Sequence, residues 1–565
     1  MKNIISYKRI IYFVCLLTVC SYTIIPEDSL VIGFADTNMR YSYPLAKNTT
    51  LASSWNGKAW KGEKISQQLL VYSDQQLPGI KVKATALKDA KGNLIAEGAF
   101  SVSYVGYVWT DGFGNRERSC ISDRRGIVFD SSMVADPLFA ARPGNSTTKN
   151  LQPVWISIEV PRDISAGIYK GAIEITGKKK YRLPINIEVI NKTLPPPAQW
   201  KFHLDLWQHP AAVARAEHVP LWSNEHFEAM RSLYSMLAKA GQKVITTSIV
   251  NEPWGHQTYD DYPALIRWIK KRDGSWKYDY SLFDRYVAFV MSCGINEQIN
   301  CYSMLPWGLS FSYYDEATQQ VKSTKCKPGS DAYARMWKPM LIDFERHLQQ
   351  KGWFDITTIA MDERGLEDMK YIIGLLKSLN KKWKVALAGN YHPEIEKDIY
   401  DYCLASKFVY PDSVLNRRKA EKLKSTYYTC CAERFPNSFT FSPPAESTWL
   451  GIYAAANHFD GYLRWAYNSW PDKPLQDSRF TMAPAGDCFL VYPFATSSIR
   501  FEKLIEGIQL YEKIRIIKSN RSGKTSKQLS DLTDALKEFS IKSAGSGQAA
   551  SMVQKIKDIL NRESI

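Results

Sequence analysis

Asp362 and Glu363 follow the apolar run Ile356-Thr357-Thr358-Ile359-Ala360-Met361 and precede Gly365, a breaker, with a helical pattern opening near Leu366. Neighbouring acids alone mean little, since Glu27-Asp28, Asp260-Asp261, Asp315-Glu316 and Glu367-Asp368 also occur. Asp315-Glu316 lies in a polar stretch, and Glu367-Asp368 falls in the first turn of a helix, where acids suit the macrodipole. Only Asp362-Glu363 ends a buried strand. Paired carboxylates are the usual equipment for sugar hydrolysis, as acid and nucleophile or acid and base. On a 2-acetamido sugar the acetamido oxygen can itself attack the anomeric carbon and form an oxazolinium ion. One carboxylic acid then protonates the leaving oxygen, while one carboxylate orients the acetamido N–H. Successive side chains at a strand end diverge, so neighbours can reach both targets. The plainer alternative is an Asp that caps the next helix beside an exposed Glu.

A pair placed this way needs a scaffold that gathers strand ends. Beyond Trp200 the pattern alternates strand, loop and helix. Predicted strands are 202–206, 244–249, 295–303, 356–361, 385–388, 407–410, 426–430 and 462–467. Amphipathic helices are predicted at 224–239, 281–291, 332–350, 366–379 and 413–423. Eight strands alternating with helices predict a (β/α)8 TIM-type barrel, whose chemistry sits at the C-terminal strand ends. No Gly-rich dinucleotide loop follows the first strand, which disfavours an open doubly wound sheet. Other strand ends supply pocket candidates: His203, Asp205 and Trp207 at the first, Asn251 and Trp254 at the second, and Trp307 at the third. Asn390, Tyr391 and His392 follow the fifth, and Trp465, Tyr467, Asn468 and Trp470 the eighth. Trp465 or Trp470 is the expected sugar platform, and Tyr391 the expected partner of the acetamido carbonyl. Each of these aromatic residues also has a plain packing explanation.

Around the barrel, the N-terminal part reads as a β-sandwich: short, alternating strands such as 67–72, 80–87, 154–160, 171–176 and 183–189, closed by Pro195-Pro196-Pro197. The expected organisation is a signal peptide at 1–25, a β-sandwich at 26–194, the barrel at 198–496 and a C-terminal helical segment at 497–565. The signal consists of Lys2, Lys8 and Arg9 before an apolar run too short to span a bilayer. Export is therefore expected, to the periplasm, cell surface or medium, without an integral membrane segment. Val19 before Cys20 disfavours a lipid anchor there. The formal charge of +16 comes with no basic stripe interleaved with aromatics, so nucleic-acid binding is not expected. No metal-ligand spacing and no G-x-S-x-G elbow occur, so neither cofactor nor metal is expected. Seventeen Trp and 32 Tyr suit a carbohydrate binder, whose flat rings pack on sugar C–H faces.

The motifs resemble those of glycoside hydrolase family 123, the bacterial β-N-acetylgalactosaminidases. The resemblance is carried by Trp60-Lys61-Gly62-Glu63-Lys64, the Asp362-Glu363 pair and Ala388-Gly389-Asn390-Tyr391-His392. Gly461 to Trp470, Pro474-Leu475, Gly486-Asp487 and Tyr492-Pro493 add to it. It implies a retaining exo-enzyme that removes terminal β-GalNAc from glycoconjugates by substrate assistance, with Asp362 stabilising the acetamido group and Glu363 as general acid/base. That chemistry asks for a protonated Glu363 and an ionised Asp362. Another 2-acetamido sugar, such as β-GlcNAc or sulfated GalNAc, or a non-catalytic glycan-binding role stays open.

Overall fold

In a computed structural model, residues 30–46, 48–77, 79–112, 131–142, 150–519, 526–542 and 545–562 are described. The expected signal segment, Cys20 and most of the polar 519–527 loop lie outside them.

The N-terminal β-branched runs form two six-stranded sheets. One contains Lys64–Tyr72, Leu151–Glu159 and Phe100–Thr110; the other is built on Gly167–Thr176 and Lys180–Thr193, which pair antiparallel from Gly167 with Val189 to Thr176 with Lys180. Leu69, Val154, Ile156, Ile173, Ile185 and Ile187 are fully buried between them. Every second residue on these strands is apolar, so one face of each sheet is sealed against the other.

The barrel strands are β1 (His203–Leu206), β2 (Val244–Ser248), β3 (Gln298–Tyr302), β4 (Thr357–Asp362), β5 (Lys384–Gly389), β6 (Asp401–Ala405), β7 (Lys424–Tyr428) and β8 (Gly461–Arg464). Neighbours along the series are parallel, β8 returns to β1, and a bridge between Leu204 and Gln242 closes the ring. The closure is tight at Gly461, where a Cβ would lie 2.0 Å from the His203 carbonyl oxygen. No side chain fits there.

Two expectations about the barrel need correction. The sixth strand is Asp401–Ala405, not 407–410. Val409 is 56% exposed, whereas all five residues of β6 are buried. The acid at the head of β6 disguised it, because Asp401 turns into the barrel and pairs with His203. The eighth strand stops at Arg464 rather than 467. A four-stranded sheet that the periodicity did not announce also stands beside the barrel: Arg267–Lys270, Trp276–Asp279, Ser310–Asp315 and Gln320–Lys325. It is inserted after β2 and β3, and it places Asp315 at a strand end after all.

The C-terminal helix Ile499–Ser519 binds the two halves together. Its Glu512 accepts the N–H groups of Lys201 and Phe202 at 2.6 and 2.8 Å, fixing the entry to β1. Lys513 donates to both oxygens of Glu63 in the sandwich at 2.9 Å. Against the barrel helix Pro444–Ala456 the backbones nearly touch, since a Cβ on Gly451 would sit 2.3 Å from Gly507. Among the described residues, no helix is long and apolar enough to cross a membrane.

Candidate active site

β4 delivers the acidic pair to the C-terminal mouth of the barrel. Thr357 to Met361 are buried, Asp362 is half-buried and Glu363 is exposed. Glu363 leaves the strand in the left-handed region, at φ 48°. For an L-residue this costs roughly 1–2 kcal/mol, and two contacts hold it there. Its N–H donates to the Ala388 carbonyl at 2.7 Å, and its Oε1 accepts from the Tyr428 hydroxyl at 2.6 Å. Gly389 permits the first contact, because a Cβ there would come within 3.3 Å of Glu363 Cα.

Both carboxylates open into one pocket of about 710 Å³ of empty space reaching to solvent. Trp207, Trp254, Trp307 and Trp465 wall it, with Tyr428, Leu463, Gln257, Met482 and Asp487. Trp307 and Trp465 are partly exposed, while Trp207 and Trp254 are 2% and 4% exposed and form the deeper wall with Tyr302. The Trp465 indole is locked by its N–H to Asp487 at 3.0 Å, and Asp487 is itself held by Arg464 at 2.7 Å. Cys431, which is disulfide-bonded, sits on the rim.

Burial and the neighbouring Glu363 carboxylate push Asp362 up to about 7, against the pull of Arg364 and of the Trp307 N–H at 3.4 Å. The expectation of an ionised Asp362 therefore meets an opposing push, since burial and the Glu363 charge favour its protonated form. Asp362 is the deeper group and gives up more hydration on ionising. The pair is best described as two carboxyls sharing one proton. Burial and the same Glu363 charge raise the Tyr428 phenol far above its ordinary range, so Tyr428 remains a donor.

Of the other residues singled out in the sequence, Trp207, Trp254, Trp307 and Trp465 line the pocket. The rest do not. His203 and Asp205 point into the barrel's interior: His203 pairs with Asp401 at 3.1 Å, and Asp205 accepts from Asn300 at 3.3 Å. Tyr467 and Trp470 are fully buried, donating to the carbonyls of Leu233 and Val491, so Trp470 cannot be a sugar platform. Asn468 is buried against His209. Asn251 is exposed away from the pocket lining. Asn390, Tyr391 and His392 turn outward, with Tyr391 packing on Tyr402 and Tyr410 and His392 N–H donating to Tyr402 at 2.8 Å. Tyr391, the expected partner of the acetamido carbonyl, is not among the residues that line the pocket with Asp362.

Tyr428, Gln257 and Asp487 were missed. Tyr428 is the last residue of β7, which ends two residues before the predicted end at 430, so the strand-end rule pointed past it. Asp487 was visible only as part of a motif. The fold also gathers Glu252, His256 and Asp261 of one loop into a trio whose ligand atoms could meet a metal ion. Glu252 already accepts the N–H groups of Tyr262 and His256, and the other two are exposed.

Residues 207–517 match the glycoside hydrolase 123 catalytic domain, and residues 34–177 match the glycoside hydrolase 123 N-terminal domain. The chain is similar to a solved family 123 glycoside hydrolase from Clostridium perfringens, studied for glycolipid glycan hydrolysis. The two share 25% identity over 94% of this chain and 98% of that one, with a TM-score of 0.84. A Bacteroides ovatus GH5 xyloglucanase is far more distant, at 10% identity over 85% of this chain and 100% of that one, with a TM-score of 0.30. No curated protein matches. With more than half of its length matched by the catalytic domain, the chain belongs to glycoside hydrolase family 123.

Proposed function

We propose that the protein is a retaining exo-β-N-acetylgalactosaminidase that removes terminal β-GalNAc from glycolipid or related glycans by substrate assistance. The observation that carries this reading is the shared pocket: Asp362 and Glu363 open side by side into one tryptophan-walled cavity at the barrel mouth. The relative from Clostridium perfringens, described for glycolipid glycans, supports the substrate class.

The sugar lies against Trp465 with its acetamido group toward Asp362. The acetamido N–H donates to Asp362, which favours that carboxylate's anion. The proton shared by the pair then resides on Glu363. The acetamido oxygen attacks the anomeric carbon, the glycosidic C–O bond breaks, and Glu363 passes its proton to the departing oxygen. Asp362 balances the positive charge growing on the oxazolinium nitrogen. Glu363, now a carboxylate, takes a proton from water as that water opens the oxazolinium ring at the anomeric carbon, with net retention. Tyr428 keeps the Glu363 carboxyl aimed throughout.

Purified protein should hydrolyse aryl β-GalNAc in preference to aryl β-GlcNAc, and a thiazoline analogue of the oxazoline should inhibit it. Turnover of neither substrate, or indifference to the thiazoline, would overturn the proposal.

A further inference from the structure

Arg364, two residues beyond Asp362, is built in a way that fold stability does not explain. Its guanidinium lies 4.3 Å from the centre of the Trp307 ring. Its Nε and Nη2 are buried with no hydrogen-bond acceptor. Leaving such donors unpaired is costly, and a group kept in that condition calls for another reason. The face of Trp307 that it covers belongs to the ring whose N–H reaches Asp362 and whose body walls the pocket.

We propose that Arg364 is a positioning residue: its guanidinium braces the Trp307 indole against Asp362 and supplies a fixed positive charge behind the acidic pair. This rests on the reading of Asp362 as the carboxylate that must ionise when substrate binds. The Arg364 charge acts on both carboxyls of the pair and on Asp368. The cation over the indole also polarises the ring and strengthens its N–H as a donor.

The surroundings of Asp362 leave this role to Arg364. On its own segment Asp362 faces Glu363 and Arg364. From the neighbouring strands it meets Tyr302 of β3, Cys403 of β6 and Tyr428 of β7, all of which burial keeps neutral. Trp307 adds its N–H. Arg364 in turn faces Asp362, Glu363 and Asp368. Among the described residues, the one cation acting on Asp362 is Arg364.

The test compares wild type with Arg364→Gln, Arg364→Met and Arg364→Lys. The first readout is kcat/KM on aryl β-GalNAc across pH. Loss of the charge should move the acid limb upward by about one pH unit, the scale of an opposite charge at this range. Arg364→Lys should recover most of that movement. A uniform loss of activity at every pH, or an unmoved limb in both neutral variants, would overturn the proposal. The second readout needs no substrate: thermal stability against pH, with Asp362→Asn as background. The break due to Asp362 should move upward in Arg364→Gln and be absent from Asp362→Asn and from the double variant. A wild type inactive on the sugar would sink the functional reading alone, because the stability curves judge Arg364 by themselves.

Discussion

Asp362 and Glu363 differ in depth, and that difference decides how each responds to substitution. Glu363 is exposed and is the proposed proton donor, so Glu363→Gln should lower kcat on a natural glycan at least ~10²-fold, the low end for general acid–base catalysis. An aryl substrate with a very good leaving group should lose less, and comparing the two substrates checks it. Asp362 is held up at about 7 by burial and by Glu363. An unfolded Asp titrates near ~3.9. Between those values the folded chain keeps a proton that the unfolded chain releases, so stability falls as pH rises from about 4 to about 7 and remains lower above that. Asp362→Asn removes the penalty. At pH 8 the variant should unfold at a higher temperature than wild type, while activity is lost. Calorimetry at pH 5 and pH 8 measures both arms, and the gain should shrink at the lower pH.

Elements set the geometry that these residues use. Glu363 holds its left-handed turn because β5 presents the Ala388 carbonyl and a residue without a side chain beside it. Gly389→Ala should push Glu363 by a few tenths of an ångström and lower kcat on the order of 10-fold, with KM changed little. Steady-state kinetics at constant pH show the split. The same scale explains what could be read in advance. Seven of the eight barrel strands were legible because parallel strands buried on both faces are apolar runs. β6 was not, since its leading Asp401 breaks the run and only the fold reveals its partner His203. The acidic pair was legible as a strand end. Tyr391 was misplaced because distance along the chain from β5 says nothing about which way the following loop turns. His203 and Asp205, which share a polar layer with Asn300, were read as pocket because polar residues on barrel strands face inward whether they sit at the mouth or below it.

The whole molecule behaves as one body through the helix Ile499–Ser519. Lys513 is fully buried and its ammonium is paired with Glu63 of the sandwich. Removing one partner of a buried pair costs about 3–5 kcal/mol, because the other charge is left without its counter-ion. Lys513→Met should therefore lower the melting temperature of sandwich and barrel together, in one transition. Its activity at a temperature where it stays folded should match wild type. Differential scanning calorimetry reads the number of transitions, and two separated peaks would show that the halves fold independently. The pocket itself depends on this assembly, because Glu512 on the same helix fixes the start of β1, and Trp207 follows that strand.

The claim on which the account depends most is that the substrate's acetamido oxygen is the nucleophile. A series of aryl β-GalNAc substrates bearing acetyl, fluoroacetyl, difluoroacetyl and trifluoroacetyl groups on nitrogen measures it directly. Each fluorine weakens that oxygen without changing the leaving group. An attacking acetamido oxygen requires a steep, stepwise fall in kcat/KM along the series; a flat series would mean that the protein supplies the nucleophile.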